Sequence, residues 1–221
     1  MARVIAVVGE TGTGKSTSIK TLDPASTYII NVASKELPFK GSSKLYNRDA
    51  KNYKEIDSAT EILETLRTID KAPHIKNVVI EDANYIMGFT MVRKATETGY
   101  TKFSVMAKDM TALILEAKKL RNDLHIFYFS HPEEVTDGDE IVSYKIKTAG
   151  KLLDSQIKLE GLFTVVLYTN VEEAKDGKMK YEFVTNRYKK YPAKSPDGMF
   201  DKITIPNDLK LVSETIDEYY S

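Results

Sequence analysis

Gly9-Glu10-Thr11-Gly12-Thr13-Gly14-Lys15-Ser16 decides the reading of this chain. The stretch spells G-x-x-x-x-G-K-[ST], the pattern of a loop that wraps phosphate. An apolar run, Val4-Ile5-Ala6-Val7-Val8, precedes it, and a segment able to be helical, Ser16 to Thr21, follows. That strand–loop–helix context separates a phosphate site from an ordinary glycine-rich turn. Backbone N–H groups of such a loop converge on phosphate oxygens, and the N-terminus of the next helix adds positive potential. The expected nucleotide-binding residues are Gly9, Glu10, Thr11, Gly12, Thr13, Gly14, Lys15, Ser16 and Thr17. Lys15 reaches the β- and γ-phosphates, and Ser16 holds Mg²⁺ through its hydroxyl.

The 221 residues suffice for one sizeable α/β domain, and a single domain over 1–221 is expected. Lys+Arg and Asp+Glu both number 32, which excludes a protein that coats nucleic acid by bulk charge, though not a local basic patch. The absence of cysteine excludes disulfides and thiolate metal sites. No apolar run reaches the length of a membrane span, and Val4–Val8 is too short for a signal segment. The expectation is a soluble cytoplasmic protein without a membrane partner.

Outward from the loop, β-branched apolar runs predict strands at Val4–Val8, Thr27–Val32, Asn77–Ile80, His125–Phe129, Leu162–Tyr168 and Met179–Thr185. The last two pair through the Lys175-Asp176-Gly177-Lys178 turn, since Asp-Gly favours a tight hairpin. Helical periodicity marks Ala59–Ile69, Phe103–Leu120 and Asn207–Tyr220. Alternating strands and helices, with strands apolar on both faces, predict an α/β fold with a mostly parallel central sheet, flanking helices and an antiparallel C-terminal hairpin. Residues 35–53 and 192–206 lack periodicity and read as irregular loops or insertions, the first beside the site.

A phosphate loop alone only binds. Hydrolysis needs a carboxylate at the end of a neighbouring strand, and Val78-Val79-Ile80-Glu81-Asp82 supplies two adjacent acids there. Side chains alternate along a strand, so Glu81 and Asp82 share a direction only if the strand has ended. One should face the metal and the other the attacking water. The assignment adopted is Ser16 with Asp82 at the metal and Glu81 as the water-orienting base, with Glu36, just past the second strand, as its rival. The fourth strand ends in Ser130-His131, either of which can sense the γ-phosphate. Arg187 follows the hairpin, and Lys145, Lys147, Lys151, Lys189, Lys190 and Lys194 lie in the same half of the chain. A cation from this set can act on a neighbouring subunit's nucleotide or line a path for DNA. The expected catalytic groups are therefore Lys15, Glu81, Glu36, Ser130, His131 and Arg187.

These residues, with Lys35–Gly41, Val79–Met87, Lys147–Lys151 and Lys194–Phe200, resemble a phage-encoded group of small RecA-like P-loop ATPases over nearly the whole chain. The resemblance implies a RecA-type core, ATP and Mg²⁺ as ligands, and action on single-stranded DNA in recombination or replication. It also implies a homo-oligomer working beside a single-strand-binding protein or helicase. Two alternatives remain open. One is a non-catalytic, ATP-dependent switch or loader. The other is a small-molecule kinase, against which the unclustered Arg3, Arg48, Arg67, Arg93, Arg121 and Arg187 argue. No N-K-x-D guanine-reading motif occurs, which disfavours a GTPase.

Overall fold

The computed structural model describes residues 1–149 and 157–221. Eight strands form one sheet: β1 (Arg3–Val8), β2 (Thr27–Asn31), β3 (Tyr53–Glu55), β4 (Asn77–Glu81), β5 (His125–Ser130), β8 (Val165–Glu173), β9 (Met179–Val184) and β10 (Thr204–Pro206). Their order is β10-β9-β8-β1-β5-β4-β2-β3. All neighbours run parallel except β8–β9 and β9–β10, which are antiparallel. This is the α/β architecture expected of a P-loop nucleotide-binding fold.

The strand sequences explain the layering. Side chains alternate faces, and both faces of the central strands are apolar. Val4, Ala6 and Val8 of β1, with Ile126 and Tyr128 of β5, join one core; Ile5, Val7, Phe127 and Phe129 join the other. The first core is covered by α2 (Ala59–Ile69), α3 (Tyr85–Arg93) and α4 (Thr101–Ala117), through side chains such as Leu66, Ile86 and Met110. The second is covered by the 3-10 helix Ser16–Thr21 and by α5 (Leu209–Tyr219), through Ile19, Leu209, Val212 and Ile216.

Topology then places the ligand end. From β1 the chain crosses to β2, returns through β4 and β5, and reaches β8 on the other side of β1. Open α/β sheets bind ligands at such a reversal, beyond the carboxyl ends of the strands. Register levels those ends: Val8 pairs with Ser130, and Ile80 with Tyr128. Gly9 N–H donates to the Ser130 carbonyl (3.1 Å) and Ala83 N–H to that of Phe129 (2.8 Å).

Several expectations needed correction. The strand expected from Leu162 begins at Val165, because Leu159–Leu162 forms a 3-10 turn. The stretch 192–206, read as irregular, ends in β10, which closes the sheet edge against β9. Residues 35–53 contain a short helix, α1 (Ser42–Leu45), and lead into the edge strand β3. Helix α3 went unread because Tyr85–Arg93 carries Gly88 and β-branched residues with little amphipathic period. A separate hairpin, β6 (Pro132–Asp137) with β7 (Glu140–Ile146), was also missed. Strand β6 is mostly exposed and acidic and carries no apolar alternation, while the alternation Val142-Ser143-Tyr144-Lys145-Ile146 of β7 was a strand signal left unread. Of the Lys147–Lys151 motif, Gly150 and Lys151 lie outside the described residues. No helix among the described residues is long and apolar enough to cross a membrane.

The first and last helical segments are joined by one hydroxyl. Thr21 Oγ1 donates to the Ser18 carbonyl (2.8 Å) and accepts the Leu209 N–H (3.0 Å). Asp208 Oδ1 caps α5 by accepting the Leu211 N–H (3.0 Å). Thr21→Val should leave the Leu209 N–H unpaired and lower stability by about 1 kcal/mol in urea unfolding. An unchanged midpoint would show that this junction contributes nothing.

Candidate nucleotide-binding site

The loop between β1 and the 3-10 helix is shaped by its glycines. Gly12 and Gly14 adopt φ of 81° and 87°, conformations that side chains with a Cβ rarely take. Gly9 is required for space: a Cβ there would lie 2.0 Å from Thr169 Oγ1 and 2.8 Å from Thr13 Oγ1. Those two hydroxyls bond each other (2.6 Å), and Thr13 Oγ1 is also 2.7 Å from the Glu10 carbonyl. So β8 braces the loop from the side. The N–H groups of Gly12, Gly14 and Lys15 have no hydrogen-bond partner among the described residues. The 3-10 helix that follows is only 6 residues long, so the helix-end contribution expected from sequence is small and the loop amides dominate.

Beneath the loop lies a buried charge cluster. Lys15 and Asp82 are 4% and 0% exposed, with Nζ 4.0 Å from Oδ1. Glu81 also has no exposed surface. It continues β4 on the face of Val79, the face the 3-10 helix covers, and the Ser16 hydroxyl donates to its Oε1. Strand β4 ends there. Asp82 adopts φ of 56°, a left-handed conformation that Asp tolerates better than most residues. This turn brings the Asp82 carboxylate to Lys15, Lys35 and His131, whose Nε2 lies 3.5 Å from Oδ1.

The acids consequently titrate in opposite directions. Burial pushes Glu81 up, and the neighbouring Asp82 charge adds to it against the pull of Lys15 and the Ser16 hydroxyl. Burial also works to raise Asp82, but contacts from His131 and Lys35 and the Lys15 charge outweigh it and hold Asp82 down. Burial lowers Lys15 despite both acids.

The structure places the expected residues as follows. Ser16 pairs with Glu81, not with Asp82; the assignment of Asp82 beside Ser16 is corrected, because strand alternation sends Glu81 toward the loop helix. His131 lines the cavity, and its backbone N–H donates to Asn84 Oδ1 (3.2 Å). Ser130 does not line it, since its hydroxyl donates to the His131 carbonyl (3.1 Å). Glu36 is exposed on the cavity wall. Arg187 lies on an exposed turn past β9 and does not line this cavity.

Sequence reasoning missed Lys35, which reaches Asp82 because Asn31 Nδ2 donates to the Lys35 carbonyl (2.6 Å) and holds the chain after β2. Its position beyond a strand's carboxyl end was the available signal. Tyr181, Pro206 and Asn207 were missed as well.

The cavity holds about 690 Å³, within the range of small-molecule sites. A nucleoside triphosphate fits its chemistry: free loop amides, a buried ammonium and glycines packed too tightly for a Cβ. The Ser16 hydroxyl and the Glu81 carboxylate, whose Oε2 has no hydrogen-bond partner, are the hard oxygen donors that suit Mg²⁺. Among the described residues no three His, Asp or Glu side chains form a metal cage. Fold and site define a P-loop nucleotide-binding domain. A family model described as an AAA domain matches residues 1–196, and the chain belongs to that family. No curated protein matches it.

Because the folded-state pKa of Glu81 lies above its unfolded value, this group favours the fold below the ordinary Glu range. That contribution is lost as pH rises through the folded value, so near neutrality the buried carboxylate is a cost. Glu81→Gln should therefore raise the melting temperature of the nucleotide-free protein, by about 2–4 °C per kcal/mol recovered. The gain should shrink on mild acidification. A variant that melts lower at every pH would contradict this account of the cluster.

Proposed function

We propose that the chain is an Mg²⁺-dependent ATPase whose turnover is coupled to single-stranded DNA in recombination or replication. The observation that carries hydrolysis is the buried Lys15, Ser16, Glu81 and Asp82 cluster directly beneath unpaired loop amides. Holding phosphate takes only the loop amides and Lys15; the buried acids beside Ser16 supply the oxygen donors that Mg²⁺-dependent chemistry needs.

In this reading the amides of Gly12, Gly14 and Lys15 hold the phosphates, and Lys15 Nζ neutralises the β- and γ-oxygens. Ser16 and Glu81 hold Mg²⁺, which when bound neutralises charge on the phosphate oxygens. Glu36 orients a water molecule for in-line attack and receives its proton. The water oxygen bonds to the γ-phosphorus, the bond to the bridging oxygen of ADP breaks, and ADP and inorganic phosphate leave. Asp82 keeps Lys15 and Lys35 aligned, and His131 at its carboxylate registers the γ-phosphate.

The DNA part rests on the exposed turn Arg187-Tyr188-Lys189-Lys190, where Lys189 Nζ lies 4.9 Å from the Tyr188 ring centroid. Cations interleaved with aromatic rings suit a phosphate backbone and stacked bases. The same Arg187 is the candidate to reach a neighbouring subunit's nucleotide in a homo-oligomer, and a single-strand-binding protein or helicase is the proposed partner.

Lys15→Ala should abolish ATP turnover, and full activity in that variant would overturn the site. Glu36→Gln should lower kcat by about 100-fold or more with KM little changed. An equal loss confined to KM would remove Glu36 from the water-orienting role.

Added single-stranded DNA should raise the hydrolysis rate at low salt, and charge reversal at Lys189 and Lys190 should weaken that response. A rate indifferent to DNA, without DNA binding, would eliminate the DNA part. Tight ATP binding without any turnover would instead favour a non-catalytic switch.

A further inference from the structure

The cavity extends beyond the phosphate loop, and its other wall comes from the end of the chain. Strand β9 turns Tyr181 toward the same face as Phe183, the face covered by the loop helix. Phe183 is fully buried, yet the Tyr181 ring remains 43% exposed and lines the cavity. The Asn207 N–H donates to the Tyr181 carbonyl (3.2 Å), so the backbone fixes these two residues side by side. Both press on the loop itself: a Cβ at Gly14 would lie 2.8 Å from Tyr181 Cδ1 and 3.1 Å from Asn207 Nδ2. Pro206 completes the wall.

Two features here go beyond packing on the loop. An aromatic ring stands half-exposed on a concave surface. The Asn207 Nδ2 atom is buried without a hydrogen-bond partner, an arrangement that costs stability unless a ligand completes it. We propose that this wall is the base subsite of the nucleotide site and that it selects adenine; the inference rests on the P-loop reading above. The Tyr181 ring provides the stacking face. Rotation of the Asn207 amide about χ2, a soft torsion, presents one donor and one acceptor together. That pair matches the N6 amino group and N7 of adenine and mismatches guanine, which offers two acceptors at the corresponding edge. Tyr181 lies within the family match, whereas Pro206 and Asn207 lie beyond residue 196, where it ends, so the wall draws on both parts of the chain.

Equilibrium binding of ATP, GTP and inorganic tripolyphosphate, each with Mg²⁺, tests the assignment on the full chain. The wild type should prefer ATP to GTP and bind tripolyphosphate more weakly than ATP. Tyr181→Ala should weaken ATP about tenfold or more and leave tripolyphosphate within about twofold, whereas Tyr181→Phe should keep ATP affinity. Asn207→Leu should erase the preference for ATP over GTP. Should Tyr181→Ala bind ATP as the wild type does, or Asn207→Leu keep the full preference, the base subsite is overturned while the phosphate site stands. A wild type that binds neither tripolyphosphate nor ATP overturns both readings. Loss of tripolyphosphate binding in Tyr181→Ala would assign the ring to loop support and overturn its stacking role.

Discussion

Glu81 is a carboxylate with no exposed surface, set beside a second carboxylate that is equally buried. Ions removed from water are tolerated only with close partners, and much of the local architecture supplies them. The Ser16 hydroxyl binds one Glu81 oxygen. Lys15 is drawn under the loop rather than out to solvent. Asp82 leaves the strand through a left-handed turn that puts it between Lys15, Lys35 and His131. The cluster remains incomplete, with Glu81 Oε2 unpartnered.

The sheet makes this arrangement possible by separating its two halves. β5 lies between the strand that feeds the loop and the strand that ends in the acids. Backbone bonds from Gly9 to Ser130 and from Ala83 to Phe129 tie both neighbours to it. Lys15 can therefore reach across toward Asp82 while the loop amides stay unpaired above. On the opposite side, β8 braces the loop through the contact of Thr169 with Thr13. The chain's last residues return over the loop helix and anchor at Thr21. Loop, acids and the Tyr181–Asn207 wall thus share one rigid frame assembled from distant parts of the chain.

Much of this was legible in advance, for identifiable reasons. The central strands are apolar on both faces, so their run composition alone marks them, and α2 shows the helical period at its observed bounds. The loop pattern depends on glycines that no other residue replaces. The β6–β7 hairpin was missed because acidic, exposed β6 carries no alternation to pair with that of β7, whose Tyr144 and Ile146 reach the core only in the folded chain. Lys35 was hidden because a lysine after a strand reads as solvent-facing until the partner carboxylate is located. The ambiguity between Glu81 and Asp82 was real at the level of sequence, since alternation says they diverge but not which one faces the loop.

By itself the sequence determined a phosphate-binding loop after a buried strand, acids at the end of another, and a mostly parallel sheet to hold them, because each is written in local composition and spacing. Tertiary structure alone decided which acid meets Ser16, that Lys35 joins the cluster, that Ser130 turns away while His131 faces in, and that Tyr181 and Asn207 wall the same cavity. These outcomes depend on register across β5 and on a backbone turn at Asp82, which bring together residues far apart in the chain, and no local pattern encodes a distance of that kind.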